Sequence, residues 1–190
     1  MDEPLIWGCL KTKHLTNNSL MRWALAAHDI CFTKKLHALF FGKSIPIVRG
    51  NGTHQTGMDF AINRLNEGQW LHFYPEGKVN ETKNNMKIKW GVGRLISECR
   101  IPPIVVPIYH LGMDSILPNK KPHIPHFGQK VTVVIGKPIS LKEALTELQE
   151  KNATKEEARL VLTNVVQKEL FKLRITAEIF HAKHLQGASK

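Results

Sequence analysis

Cysteine is scarce in this sequence, and Cys9, Cys31 and Cys99 stand far apart with no Cys-x-x-Cys pair. That excludes a disulfide framework and a cysteine zinc site, so the thiols are expected to be reduced, buried and structural. No run of residues is long and apolar enough to span a bilayer. The longest uncharged apolar stretch near the middle, Ile101 to Met113, is short and holds three prolines and His110. The first residues, Met1-Asp2-Glu3-Pro4, are acidic, unlike a signal or transit peptide, so a chain that reaches a membrane is expected to lie on it. A Gly-x-Ser-x-Gly nucleophile turn is absent. Gly91-Val-Gly93 lacks the third glycine of a dinucleotide fingerprint and follows no clear strand. There is no internal repeat and no low-complexity linker; prolines 102, 103, 107, 118, 122 and 125 mark a loop-rich region.

Positive charge is in excess. The 190 residues carry 27 Lys and Arg against 16 Asp and Glu, a net +11. The excess is concentrated in residues 61–140, around Lys78, Lys83, Lys87, Lys89, Arg94 and Arg100, with Lys120 and Lys121 further on. Such a field attracts polyanions: nucleic acid, anionic lipid or phosphorylated substrates. Apolar residues at 42% and charged residues at 23% fit one globular domain over residues 1–190, with a core at 1–139 and C-terminal helices at 140–186.

Strands and helices alternate, which predicts an α/β domain with a mostly parallel central sheet flanked by helices. Thr33 can cap a short helix through Phe40, closed by Gly42. Ile45 to Val48 reads as a strand ending at Arg49-Gly50. Thr56 and Asp59 resemble a capping box, opening a helix that Gly68 stops. Trp70 to Tyr74 reads as a strand running into the Pro75-Glu76-Gly77 loop, and Trp90 to Cys99 as a helix. Ile104 to Tyr109 and Val131 to Ile135 read as strands of the kind a doubly covered parallel sheet buries. Ser140 with Glu143 predicts a capped helix to about Glu150. Thr154 with Glu157 opens a longer one, where Ala158, Leu162, Val165, Leu173 and Phe180 recur at helical spacing and are expected to pack on the domain.

Two features suggest a site. In Phe73-Tyr74-Pro75-Glu76-Gly77 a strand ends in a proline-bent acidic loop, which would present backbone N–H groups where ligands of open α/β sheets bind; the bland reading is a plain turn. Arg49 at a strand end can clamp a phosphate through paired hydrogen bonds; standing alone, it reads better as a solvated side chain. His54 and Asp59 have the spacing of a base–acid pair, but they read better as a loop histidine and a helix-start aspartate. His123-x-x-His126 and His181-x-x-His184 lack a third ligand for a metal.

In order along the chain these blocks resemble the glycerolipid acyltransferase family. Its pattern is a histidine-x4-aspartate pair, a Gly…Arg strand end, a (Phe/Tyr)-Pro-Glu-Gly loop and an apolar segment around a proline. Here Gly42 to Gly50 is the second block, Phe73 to Gly77 the third and Ile101 to Ile108 the fourth. Met21-Arg-Trp23, Asp29 to Lys34, Pro75 to Asn80, Lys89 to Ile96 and Phe127 to Lys130 are similar to the family's cardiolipin-remodelling branch, in which Lys78 stands where other members usually carry threonine. The resemblance implies a CoA-independent transacylase with no cofactor, moving acyl chains between phospholipids and lysophospholipids such as cardiolipin, monolysocardiolipin and phosphatidylcholine. It also implies peripheral association with inner and outer mitochondrial membranes, facing the intermembrane space, and no nucleic-acid partner.

The first block reads Asn-His-x-Ser-x-x-Asp-(Asp/Glu)-Pro in that family, and Met1-Asp2-Glu3-Pro4 matches only its end. By resemblance Asp2 is the acid of the pair, its histidine is missing from the chain, and transfer by the chain as it stands is expected to be impaired. Substrate binding is expected from Arg49, Tyr74, Pro75, Glu76, Gly77 and Lys78. The rival reading is a non-catalytic basic module for anionic membrane or RNA. Trp7, Trp23, Trp70 and Trp90 lie in apolar surroundings of the sequence, and no RNA-recognition signature appears.

Overall fold

Trp23–Ala27 (β1), Ser44–Ile47 (β2) and Leu71–His72 (β3) form a parallel sheet in the order β2-β1-β3. The computed structural model describes residues 6–8, 10–32, 43–82, 84–118 and 123–187. Its remaining strands are Ile108–Leu111 (β4) and Thr132–Ile135 (β5). The helices are Thr12–Thr16 (α1), His28–Cys31 (α2), Thr56–Asn66 (α3), Gly91–Ser97 (α4), Met113–Ile116 (α5), Lys142–Glu150 (α6) and Lys155–Gln186 (α7). Two compact units result: Thr16–Ile104 with Ser140–Gln167, and Met1–Leu15 with Val105–Ile139 and Lys168–Lys190. The helix expected at Thr33–Phe40, its closing Gly42, and also Cys9, Lys83, Lys120 and Lys121 lie outside the described residues.

The larger unit holds the parallel sheet. β1 pairs on both edges, from Ala24↔Ser44 to Ala27↔Ile47 on one side and Trp23↔Leu71 and Ala24↔His72 on the other. Its Trp-Ala-Leu-Ala-Ala sequence has no β-branched residue and favours helix by propensity, so nothing local announces the central strand. Among the described residues β2 is an edge strand, which accommodates Pro46 with no N–H to donate.

Met58, Ala61, Ile62 and Leu65 recur at helical spacing on α3 and close over the sheet with Trp23, Leu25, Ile45, Ile47, Leu71 and Phe73, joined by Leu95 and Cys99. Burial of each large apolar side chain there contributes roughly 1.5–3 kcal/mol. Burial also pushes the Cys99 thiol pKa up, so it is an inert core residue. The start of α7 packs against α4: the Gly93 N–H donates to Thr163 Oγ1 at 3.2 Å. A Cβ on Gly93 would lie 2.0 Å from the Arg159 carbonyl oxygen, so only glycine fits. The Gly91-Val-Gly93 sequence thus serves helix packing.

One expected cap is present and two are not. The Thr154 N–H and hydroxyl donate to Glu157 Oε2 at 2.7 and 2.8 Å, and the Glu157 N–H returns to Thr154 Oγ1 at 3.2 Å, a complete capping box. The N-cap of α3 is Gln55 and that of α6 is Leu141, neither with a side-chain cap bond, so Thr56 and Ser140 are not the caps their spacing suggested.

In the smaller unit β4 and β5 pair antiparallel, Ile108↔Ile135 through Leu111↔Thr132, correcting their assignment to the parallel sheet. Nor is the fourth block buried throughout: in the larger unit Ile101 and Ile104 are each 82% exposed. Trp70 and Trp90, expected among apolar neighbours, are partly exposed. Ile6, Trp7 and Met113 form a small core with Leu10, Ile108, Ile116 and Val131. His181 and His184 both bring Nδ1 to Thr132 Oγ1, at 3.0 and 3.3 Å, while Lys130 Nζ donates to the His184 carbonyl at 2.8 Å. The ammonium so satisfies a carbonyl in the last turn of α7. Among the described residues no helix is long and apolar enough to cross a membrane.

Candidate functional site

The carboxyl ends of all three parallel strands lie along one edge of the sheet, and each is followed by a residue or loop that carries polar chemistry. β1 ends at Ala27 and leads to His28-Asp29; β2 ends at Ile47 and leads to Val48-Arg49-Gly50; β3 ends at His72 and leads to Phe73 and the Tyr74–Lys78 loop. With β1 central and its sequence successors on opposite sides, chain direction diverges about β1, the arrangement that opens a crevice at the carboxyl edge.

Arg49 donates through Nη2 to the Asp29 carboxylate. That bond is the main reason the Asp29 pKa is held below the ordinary aspartate value. Both side chains are largely open to solvent, so the pair fixes direction more than it stabilises. The turn that carries Arg49 is clamped by Gln55, whose Oε1 accepts the Val48 N–H at 2.8 Å and whose Nε2 donates to the Gly52 carbonyl at 2.8 Å.

On the far side of β1, the Gly77 N–H donates to the Tyr74 carbonyl at 3.2 Å, closing a turn around Pro75 and Glu76. Gly77 has φ +69°, a backbone conformation that glycine adopts without strain. Phe73 points into the core, while the His72 and Tyr74 rings meet edge to face at 5.0 Å. Lys78 is exposed and Tyr74 partly so. The Pro75 carbonyl accepts the Lys89 N–H at 2.8 Å, which fastens the loop to the segment before α4.

Of the residues expected to bind substrate, Arg49, Tyr74, Pro75, Glu76, Gly77 and Lys78 all follow strands at this one edge. Asp2 lies outside the described residues. Asp29 and Gln55 were not legible as site residues. For Asp29 a signal existed: it follows the apolar run Trp23–Ala27 much as Arg49 follows Ile45–Val48.

The His54 and Asp59 side chains are claimed by two different arginines. Asp59 pairs with Arg94 Nη2, and Arg159 Nη1 meets His54 Nε2 at 3.0 Å. Both arginines are nearly buried and share Glu98, at 3.0 Å from Arg94 Nε and 2.6 Å from Arg159 Nη2. Burial opposes ionisation of Glu98, but the hydrogen bonds from Arg159 and Arg94 outweigh it and hold its pKa below the ordinary glutamate value. The bland reading of His54 and Asp59 is therefore the right one: they belong to a structural ion network.

Chemically, the sheet edge offers cations at Arg49 and Lys78, a carboxylate at Glu76 and a tight turn between them, a set suited to an anion joined to a hydroxyl-bearing scaffold. The family model described as Acyltransferase matches residues 1–111. The chain is 42% identical to a tafazzin of Drosophila melanogaster over 95% of its own length and 48% of that protein's. It is 41% identical to a taffazin of Dictyostelium discoideum, over 80% of the chain and 55% of the relative. An N-acylphosphatidylethanolamine synthase of Arabidopsis thaliana is 40% identical over 73% of the chain and 52% of that protein. The chain thus spans about half the length of the curated relatives it matches. With the family model covering more than half of it, this chain belongs to the acyltransferase family.

Proposed function

We propose that the protein is a phospholipid–lysophospholipid transacylase that remodels cardiolipin acyl chains, with phosphatidylcholine as donor and monolysocardiolipin as acceptor, and without acyl-CoA. It acts while lying on mitochondrial membranes, inner and outer, on the face toward the intermembrane space. The observation that carries this reading is that the Arg49 turn and the Tyr74–Lys78 loop both follow strands at the carboxyl edge of one parallel sheet. The similarity to two tafazzins supports the choice of reaction.

In this reading Arg49 and Lys78 take the lipid phosphate, and Glu76 with the Gly77 turn holds the glycerol. The family's histidine, five positions before the aspartate, takes the proton from the lysolipid hydroxyl, and Asp2 orients the ring and stabilises the imidazolium. The hydroxyl oxygen attacks the donor's ester carbonyl. The tetrahedral adduct then collapses, the donor's glycerol oxygen leaves with the proton from the imidazolium, and the acyl chain has changed hosts. No redox partner is needed.

The test is acyl transfer from labelled phosphatidylcholine to monolysocardiolipin by the chain extended upstream with the family's Asn-His-x-Ser segment. Transfer that Asp2→Ala abolishes is the expected result; none in the extended chain would overturn the reading. Phosphatidylethanolamine as a competing acceptor separates the hydroxyl acceptor proposed here from an amine acceptor, which the name of the Arabidopsis relative brings into view.

A further inference from the structure

We propose that Lys89 is a specificity-determining residue of the lipid site, its ammonium selecting headgroups that carry a phosphodiester and no cation of their own. This rests on the reading of the Tyr74–Lys78 loop as the lipid site. Lys89 is eleven positions beyond Lys78 in sequence, yet tertiary structure brings it against the loop. A Cβ placed on Gly77 would lie 3.5 Å from Lys89 Cγ and 3.7 Å from its Cε, so the lysine stem runs across the face of that glycine.

The backbone there is anchored on every side. The Lys89 N–H donates to the Pro75 carbonyl at 2.8 Å, its carbonyl accepts the Val92 N–H at 3.2 Å, and the preceding Ile88 N–H donates to Gln167 Oε1 at 3.0 Å. Ile88 is 6% exposed, which seats the segment in the unit.

Charge bookkeeping points the same way. Arg49 is already matched by Asp29. Lys78 and Lys89, both exposed, flank Gly77 and make no salt bridge among the described residues; against the one carboxylate of Glu76 they leave the turn net positive. Two ammonium groups beside one turn attract a bare phosphodiester. They repel the trimethylammonium of a choline headgroup, which also neutralises its own phosphate. The ligand class is an anionic glycerophospholipid, the acceptor side of the proposed transfer, and a phosphatidylcholine donor is held there more weakly.

The experiment titrates the chain at low salt with dihexanoyl phosphatidylglycerol and dihexanoyl phosphatidylcholine, both below their micellar concentrations. Calorimetry gives affinity, and the amide shifts of Gly77 and Lys89 report the place. The expected result is preference for the glycerol lipid with shifts at Gly77. Lys89→Met should weaken that binding about fivefold, Lys89→Arg should largely restore it, and Lys142→Met, the same charge loss on an exposed lysine of α6, should leave it unchanged. Equal loss in Lys142→Met would assign the preference to the diffuse field and overturn the proposal. So would unchanged binding in Lys89→Met, or no binding of the glycerol lipid at all. Because the readout is binding, acyl transfer can fail while Lys89 passes, or hold while Lys89 fails, and the two ideas fall separately.

Discussion

Arg49 and Glu98 are two charged residues with opposite relations to solvent, and they should answer mutation in opposite ways. Arg49 and Asp29 form an exposed pair that solvent screens, so it adds little to the fold. Arg49→Ala in the upstream-extended chain should therefore leave the urea midpoint nearly unmoved while lowering acyl transfer by about 10²-fold, the scale of losing one charged donor to a reacting lipid. Midpoint and turnover measured on the same preparation check both halves. Glu98 joins two nearly buried arginines, so Glu98→Ala takes a carboxylate from both while leaving Arg94 its bond to Asp59, and should cost about 3 kcal/mol in urea unfolding. Its folded pKa lies below the ordinary value of 4.5, so its stabilisation is complete above that pH and is lost as pH falls through the folded pKa. Acid unfolding of Glu98→Gln should accordingly lack the part of the pH dependence that the parent shows below that value.

At the scale of elements, the two predicted capping boxes near the C-terminal helices make a matched pair. Thr154 and Glu157 exchange bonds in both directions, whereas Ser140 is followed by Leu141 as the actual N-cap. Thr154→Ala should cost about 1 kcal/mol, and Ser140→Ala should fall within about 0.5 kcal/mol of the parent; thermal or urea unfolding distinguishes them. Gly93→Ala should cost about 1–3 kcal/mol, because its methyl would press on the Arg159 carbonyl of α7 rather than on a side chain that can swing away. Strand β1 teaches the converse. Its alanines make it a poor strand by propensity, and hydrogen bonding to two neighbours overrides that preference. On the face toward α3 the strand presents Trp23 and Leu25, which the helix covers.

For the whole molecule the net +11 predicts that binding to vesicles containing cardiolipin exceeds binding to neutral ones and declines as salt rises. Flotation at two ionic strengths measures this, and equal binding to neutral and anionic vesicles at low salt would contradict it. Exposed Ile101 and Ile104 in the larger unit give the same chain apolar surface that charge alone does not explain.

What the sequence determined by itself is whatever depends on neighbours along the chain. The Pro-Glu-Gly turn, the strand that delivers Arg49, the Thr154 capping box and the basic balance are all of this kind, because turns, caps and charge are set within a few residues. Tertiary structure decided what depends on residues far apart. Spacing alone left His54 and Asp59 open as a base–acid pair, and only packing brought Arg94 and Arg159 in to separate them. Two apolar β-branched runs read as parallel strands because periodicity reports burial and not partner direction; their ladder is antiparallel. Asp29 meets Arg49 twenty positions away, and Lys89 lies across Gly77, because strand pairing and one loop-to-segment hydrogen bond close those distances. Such contacts form only when a whole unit folds, since the entropy of closing each loop is offset by the core that forms with it.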